Sequence, residues 1–311
     1  MSWFDGFEAA TFEVNNSQVF ARTGGSADKP ALLLLHGFPQ SHVMWHRVAQ
    51  ALTQDFFLVM PDLRGYGDSA KPRGDSARPR SDSARPPGDA EHSNYSKRAM
   101  AQDMVALMTA LKRNTFYLCG HDRGGRVAHR LTLDHASRVR KLCVIDIAPT
   151  LDMYEATDMA FAQAYYHWFH LIQPSPLPET MIGAAWQPYL HAKLGGWGGS
   201  GLAMYEPQAL AEYERHFAKA ETIHAMCEDY RASASVDLEH DRASRAQGQK
   251  MACDLQVLWG ERGVVQRLFN PLTLWQAQCA GKVTGHAMPA GHFIPEQLPQ
   301  ETAQSLATFF R

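Results

Sequence analysis

Near its N-terminus this chain has no apolar run longer than Ala31-Leu32-Leu33-Leu34-Leu35, far short of the roughly 20 residues that span a bilayer. Its opening, Met1 to Gly6 (MSWFDG), lacks the basic stretch that starts a secretory signal. A cytoplasmic protein without a membrane partner is expected. There is no excess of either charge: 30 Lys plus Arg stand against 32 Asp plus Glu, a net charge of -2, so no bulk field gathers nucleic acid. Cysteine is scarce and unpatterned. Cys119, Cys143, Cys227, Cys253 and Cys279 are odd in number and without CxxC spacing, which excludes a disulfide scaffold and a cysteine metal centre. They read as reduced core residues, and no metal site is expected. What is present is a composition of 45% hydrophobic and 20% charged residues over 311 positions, enough for a large buried core.

The apolar segments recur as short runs between helical patterns. Phe12 to Ala21 is β-rich, Ala31 to Leu35 reads as a buried strand ending in His36-Gly37-Phe38-Pro39, and Phe56 to Met60 reads as another. Ser96 to Lys112 carries Met100, Met104, Leu107, Met108 and Leu111 at helical spacing behind a Ser96 N-cap. A strand over Phe116 to Cys119 runs into Gly120-His121-Asp122-Arg123-Gly124-Gly125-Arg126, followed by a helix from Val127 to His135 and a strand over Leu142 to Ile147. Leu255 to Trp259 is a further strand, and Glu301 to Phe310 an amphipathic helix. Apolar strands alternating with helices predict an α/β fold with a mostly parallel sheet covered on both faces.

Two segments break the pattern. From 150 to 236 the chain is helical, aromatic and punctuated by Pro174, Pro176 and Pro178, which predicts a helical cap inserted into a core of residues 1–149 and 237–311. Such a cap would roof a site built at the strand ends. Within 67–94, GDSAKPR, GDSARPR and SDSARPP repeat a seven-residue unit with no large apolar side chain, as a solvated surface loop would.

Chemistry enters at Gly120-His121-Asp122-Arg123-Gly124. It has the G-x-nucleophile-x-G form of a strand-to-helix elbow, with aspartate at the nucleophile position. A carboxylate there can displace a leaving group from an sp³ carbon and leave an alkyl-enzyme ester for water to cleave. That water needs a base, and the chain order nucleophile, acid, histidine points to His292 in Gly291-His292-Phe293. Asp146, ending the strand after the elbow strand, is the preferred acid; Glu261 is the alternative, weakened by Arg262 beside it. The backbone N–H of Phe38, with that of Arg123, can form an oxyanion hole. Arg123 and Arg126, three apart after the nucleophile, can turn both guanidinium groups to one spot and hold a substrate carboxylate by fork-like contacts.

HGFPQSHVMWHRVA (His36 to Ala49), DLRGYGDS (Asp62 to Ser69), GHDRGGRV (Gly120 to Val127), YHWFHLIQPSPLPE (Tyr166 to Glu179), MCEDYRAS (Met226 to Ser233) and GHFIPE (Gly291 to Glu296) together resemble the fluoroacetate dehalogenases, haloacetate-cleaving members of the α/β-hydrolase superfamily. The resemblance implies an α/β-hydrolase fold, Asp122 as nucleophile, Asp146 and His292 as activators of water, and Arg123 and Arg126 on the carboxylate. It also implies that His167, Trp168 and Tyr230 bind the departing halide, that Trp197 lines the pocket, and that the enzyme is a homodimer without a cofactor, acting on a small haloacid. An imidazole, an indole and a phenol are three hard donors, as a strongly hydrated fluoride requires. Without the elbow, Tyr165, Tyr166, Trp168 and Phe169 would read as an aromatic core stripe.

Three rivals share the fold. An epoxide hydrolase would use the same Asp and His–Asp pair, but an epoxide has no carboxylate for Arg123 and Arg126. A haloalkane dehalogenase would leave Arg123 charged and unmatched near a buried site. A non-catalytic ligand receptor would have no use for Asp122, Asp146 and His292 together.

Overall fold

The computed structural model describes residues 3–72, 92–199 and 201–311; most of the tandem repeat, 73–91, lies outside the described residues, and with it the expectation of a solvated loop. The apolar runs become strands β3 (Ala31–Leu35), β4 (Phe57–Pro61), β5 (Phe116–His121), β6 (Val139–Ile145) and β7 (Asp254–Gly260), all mutually parallel where they pair. Ahead of them β1 (Phe7–Val14) and β2 (Ser17–Gly24) form a hairpin. Its two-residue turn, Asn15-Asn16, has φ of 47° and 56°, the left-handed conformation that asparagine tolerates and tight hairpins need. Strand β8 (Val283–Met288) closes the far edge, giving eight strands in the order β1-β2-β4-β3-β5-β6-β7-β8. Among the described residues only the β1–β2 and β2–β4 pairings are antiparallel.

Alternation along each strand divides the core. Leu33, Leu35, Val59, Leu118, Val144 and Val257 face one layer, where helices α2 (Lys97–Ala110) and α3 (Arg123–Asp134) contribute Met104, Leu107, Val127 and Leu131. Leu32, Leu34, Leu58, Cys119, Ile145 and Leu258 face the other, against Val48 and Leu52 of α1 (His46–Leu52) and Leu306 and Phe310 of α15 (Pro299–Phe310). A strand buried on both faces must be apolar at every position, which is why the central runs do not alternate with polar residues. Ser96 caps α2 by accepting from the Ala99 N–H at 3.1 Å.

Among the described residues eight α-helices stand between β6 and β7: α4 (Thr150–Glu155), α5 (Met159–Ala164), α6 (Tyr166–His170), α7 (Leu177–Ala184), α8 (Trp186–Gly195), α9 (Pro207–Phe217), α10 (Ala220–Ser233) and α11 (Val236–Ala246). The last, which spans the expected return to the core at 237, packs on α4 and α10 and also pairs through Asp237, Asp241 and Ser244 with Lys97 of α2 and Arg130 of α3. Beyond β7 come α12 (Val264–Leu268), α13 (Pro271–Gln278) and α14 (Ile294–Gln297). No helix among the described residues is long and apolar enough to cross a membrane. The five cysteines are free thiols.

Candidate active site

Strand β5 ends at His121, and Asp122 turns the chain with φ 47° and ψ -116° before α3 begins at Arg123. A side chain rarely adopts that backbone, and the neighbours must hold it there. They can because Gly120 and Gly124 carry no Cβ: one on Gly120 would lie 2.4 Å from the Gly124 carbonyl oxygen, and one on Gly124 would lie 2.4 Å from that of His36. The carboxylate is thereby pushed out of the β5–α3 turn toward the loop after β3. There the Phe38 N–H donates to Asp122 Oδ1 at 2.9 Å. Oδ2 is left facing His292, 3.9 Å from its Nε2.

His292 is oriented from behind. Its Nδ1 donates to Asp146 Oδ2 at 2.6 Å, and the Gly260 N–H donates to Asp146 Oδ1 at 2.9 Å. Its backbone N–H donates to the Trp197 carbonyl at 3.0 Å, and its own carbonyl accepts from His121 Nε2 at 2.9 Å. With Nδ1 committed as donor, Nε2 presents its lone pair to the space beside Asp122. Burial alone would lower the imidazole, but the bond to Asp146 and the charges of Asp146 and Asp122 raise it above the ordinary value. Burial likewise opposes ionisation of Asp122, yet His292, Arg126, His121 and Arg123 outweigh it and hold the carboxyl below its usual range. Asp122 is thus held as a carboxylate, with the His292 imidazole beside it. Glu261 is exposed and makes no contact with His292, so the geometry brings Asp146, not Glu261, to the histidine.

Arg123 corrects one expectation. Its fork is already filled: Nε and Nη2 donate to the two carboxylate oxygens of Asp229, each at 2.8 Å, and Nη2 also reaches the Asp229 carbonyl at 2.9 Å and Ser233 Oγ. A neutral substrate would therefore not strand this guanidinium, because Asp229 on α10 matches its charge within the protein. What remains for a ligand is Nη1, buried and without a partner. Arg126 is similar, with Nη1 donating to Thr150 Oγ1 at 2.9 Å and to the Ala148 carbonyl at 3.2 Å, and Nε buried and unpartnered. Each guanidinium lies on an aromatic face, Arg123 4.1 Å from the Tyr230 ring centre and Arg126 4.7 Å from that of Trp168.

The cap side chains expected at a halide close over this floor. The Phe38 ring stacks on His167 at 5.6 Å and meets Tyr230 edge-on at 5.3 Å, while Trp197 lies 4.7 Å from His167 and 5.3 Å from His292 between ring centres. His167 Nδ1 and Tyr230 Oη are buried without partners. Burial, and the nearby charge of Lys193, keep His167 well below its ordinary value, hence neutral. An unpaired buried donor costs roughly 1–3 kcal/mol. Four buried polar atoms without partners (Arg123 Nη1, Arg126 Nε, His167 Nδ1 and Tyr230 Oη) belong to residues that interact electrostatically with Asp122 or with the two arginines beside it, the kind of unsatisfied group a polar ligand would satisfy.

The structure thus brings Asp122, His292, Asp146, Arg123, Arg126, Phe38, His167, Trp168, Tyr230 and Trp197 together. Sequence reasoning missed Asp229, which also accepts from Tyr66 Oη at 2.7 Å and pairs with Lys97, and it missed His121 behind the base. Asp229 had one signal, its place beside Tyr230 in MCEDYRAS. Among the described residues no three His, Cys, Asp or Glu side chains gather as a metal would require.

The model of the alpha/beta hydrolase fold matches residues 30–294. A fluoroacetate dehalogenase from Burkholderia sp is 40% identical over 306 residues, covering 98% of this chain and 94% of that protein. A soluble epoxide hydrolase from Corynebacterium sp. (strain C12) is 28% identical, covering 96% and 95% respectively. Among solved structures, a protein from Nostoc sp PCC 7120, provisionally described as an alpha/beta hydrolase, is 47% identical with a TM-score of 0.90 over 99% of each chain.

Proposed function

The chain belongs to the α/β-hydrolase family, beside the fluoroacetate dehalogenases, and on that premise we propose that it hydrolyses the carbon–halogen bond of haloacetates, converting fluoroacetate to glycolate and fluoride. The observation that carries this reading is the pair of buried, unpartnered guanidinium N–H groups, Arg123 Nη1 and Arg126 Nε, flanking an ionised Asp122. They suit a carboxylate, the one group all haloacetates share.

In the proposed reaction Asp122 Oδ2 attacks the carbon bearing the halogen from the side opposite the halide. The C–O bond forms as the C–X bond breaks, and the halide leaves with the bonding pair toward His167, Trp168 and Tyr230. Water enters beside His292, whose Nε2 takes its proton as the oxygen attacks the ester carbonyl. That carbonyl oxygen is the former Oδ1, already held by the Phe38 N–H, so the negative charge of the tetrahedral intermediate develops on an atom with a donor in place. Collapse expels the glycolate alkoxide, which takes the proton held by His292; the second proton of the water then passes from the Asp122 carboxyl through the freed Nε2 to solvent, restoring the carboxylate.

The epoxide-hydrolase relative sets the rival reading, in which an epoxide would leave both arginine N–H groups unpaired. Fluoride release from fluoroacetate, read with an ion electrode beside epoxide hydrolysis under the same conditions, decides between them. Release of fluoride with little epoxide turnover is expected; epoxide turnover without fluoride release would replace the proposal, and neither activity would favour a receptor. A homodimer is the proposed assembly, supported by Leu177 and Met181 exposed on α7. Light scattering should give twice the 34.7 kDa of the chain.

A further inference from the structure

Lys193, on the last turn of α8, is 3% exposed and has no ion pair and no hydrogen bond among the described residues. The other buried lysine, Lys97, is by contrast paired with both Asp229 and Asp237. The Lys193 ammonium instead sits among rings, 3.6 Å from the centre of Tyr166, 5.2 Å from Tyr189 and 5.4 Å from Trp197. Aromatic faces recover part of the hydration a buried cation loses, but they supply no counter-charge.

Its place in the fold supplies a reason for leaving it unpaired. Tyr166 is 47% exposed, while the Trp197 ring packs on both His167 and His292 inside the pocket. Lys193 therefore lies between a solvent-facing ring and a pocket-lining one. Trp197 follows it by four residues and has φ 54°, on a turn where Gly198 and Gly201 also have positive φ. The backbone of this turn is tied to the base, since the Trp197 carbonyl accepts from the His292 N–H.

We propose that Lys193 forms a transit site for small monoanions between solvent and the catalytic pocket, holding the carboxylate of an entering haloacetate before it passes Trp197. This rests on the haloacetate reading above for the identity of the anion, though not for the existence of the site. A cation met on the way in raises the local concentration of an anionic substrate and so acts on kcat/KM rather than on the chemical steps. Burial lowers the Lys193 ammonium to about 8, so the site loses its charge as pH rises through that value. The other titratable groups facing it do not change charge there: burial holds His167 and His170 of α6 below their ordinary values and Tyr166 and Tyr189 above theirs. On the helices packed against α8, Glu179 is paired with Arg231 and His224, Glu214 with His191, and Glu212 with Arg215 and His216.

The test compares the full-length wild type with Lys193→Met, which keeps the stem and removes the charge, and Lys193→Arg, which keeps the charge. On fluoroacetate at pH 7, Lys193→Met should lower kcat/KM about tenfold with kcat within about twofold, and Lys193→Arg should restore most of the loss. Wild-type kcat/KM should fall above pH 8, and that of Lys193→Arg should not. Bromide soaked into crystals should give an anomalous peak beside Nζ in the wild type and none in Lys193→Met. This arm does not depend on turnover, so a wild type that releases no fluoride removes the haloacetate reading and leaves bromide to decide on the site. Absence of bromide at Nζ overturns the proposal, as does a Lys193→Met kcat/KM within about twofold of the wild type.

Discussion

His292 serves two carboxylates whose demands differ. Asp146 fixes its tautomer through Nδ1, whereas Asp122 lies 3.9 Å from Nε2, where the proposed mechanism places the water that attacks the ester. If, as proposed, the base acts only in the second step, His292→Asn should still be alkylated on Asp122 and then stall. Mass spectrometry of that variant with fluoroacetate should find a stable adduct on the Asp122 peptide; an inactive enzyme without an adduct would mean that His292 is needed for the first step. On the proposed mechanism ester hydrolysis needs neutral Nε2, so the wild-type rate should slow as pH falls through the raised value of this imidazole, as a pH profile of kcat would show. Asp229 is the complementary case. It compensates Arg123 and Lys97 at once and is held well below the usual carboxylate range by those two cations against the pull of burial. Asp229→Asn should cost roughly 3–5 kcal/mol in urea unfolding, as breaking a buried pair does, and a change under about 1 kcal/mol would remove the counter-ion role. Asp122 was legible because glycines one turn away announce the elbow; Asp229 was not, because its partner lies 106 positions off in sequence, across the insertion.

At the scale of elements, α6 shows how a short helix is held by its side chains. Its five residues are too few to be stable alone. Trp168 anchors it, with ring centres 4.8 Å from Tyr154 and 5.3 Å from Phe161, and with the Arg126 guanidinium over its ring at 4.7 Å. The packing accounts for the aromatic-stripe reading of Trp168, and the halide-donor reading turns on its indole N–H alone. Trp168→Phe keeps the ring and removes only the N–H. If that donor meets the leaving halide, turnover of fluoroacetate should fall about 100-fold and that of chloroacetate far less, since fluoride concentrates its charge and needs hard donors. Equal losses would leave Trp168 a packing residue. The strands that formed apolar runs were legible to within a few residues. Strand β8 (VTGHAM) was not, because an edge strand with one exposed face needs no such run, and α3 starts at Arg123 rather than Val127 because RGGR reads locally as a turn.

At the scale of the molecule, the cap is joined to the core by a carboxyl group four residues after the base. Glu296 of α14 accepts from Tyr213 of α9 and from Gln40 at 3.1 Å, two residues beyond Phe38, while Arg47 reaches its backbone carbonyl and carboxylate. Burial is the largest influence on this group and raises it to about 7, with Glu206 adding to the rise and Tyr213 and Arg47 opposing it. The sign of the linkage follows. Below about 4.5 both the folded and the unfolded chain hold the proton; between 4.5 and 7 the unfolded chain releases it first, so stability falls as pH rises and levels off above 7. At 1.36 kcal/mol per unit the loss is on the order of 3 kcal/mol. Glu296→Gln cannot ionise, and its carbonyl oxygen can still accept from Tyr213. Measured by urea unfolding, its stability relative to the wild type should therefore rise by about 2–3 kcal/mol between pH 5 and pH 8. Parallel curves for the two proteins would mean that Glu296 stays ionised in the fold, with Arg47 sufficient to hold its charge. A rising difference would instead mean that the contact between the insertion and the loop after β8 is made by a protonated acid at low pH, loosening as pH rises toward 7.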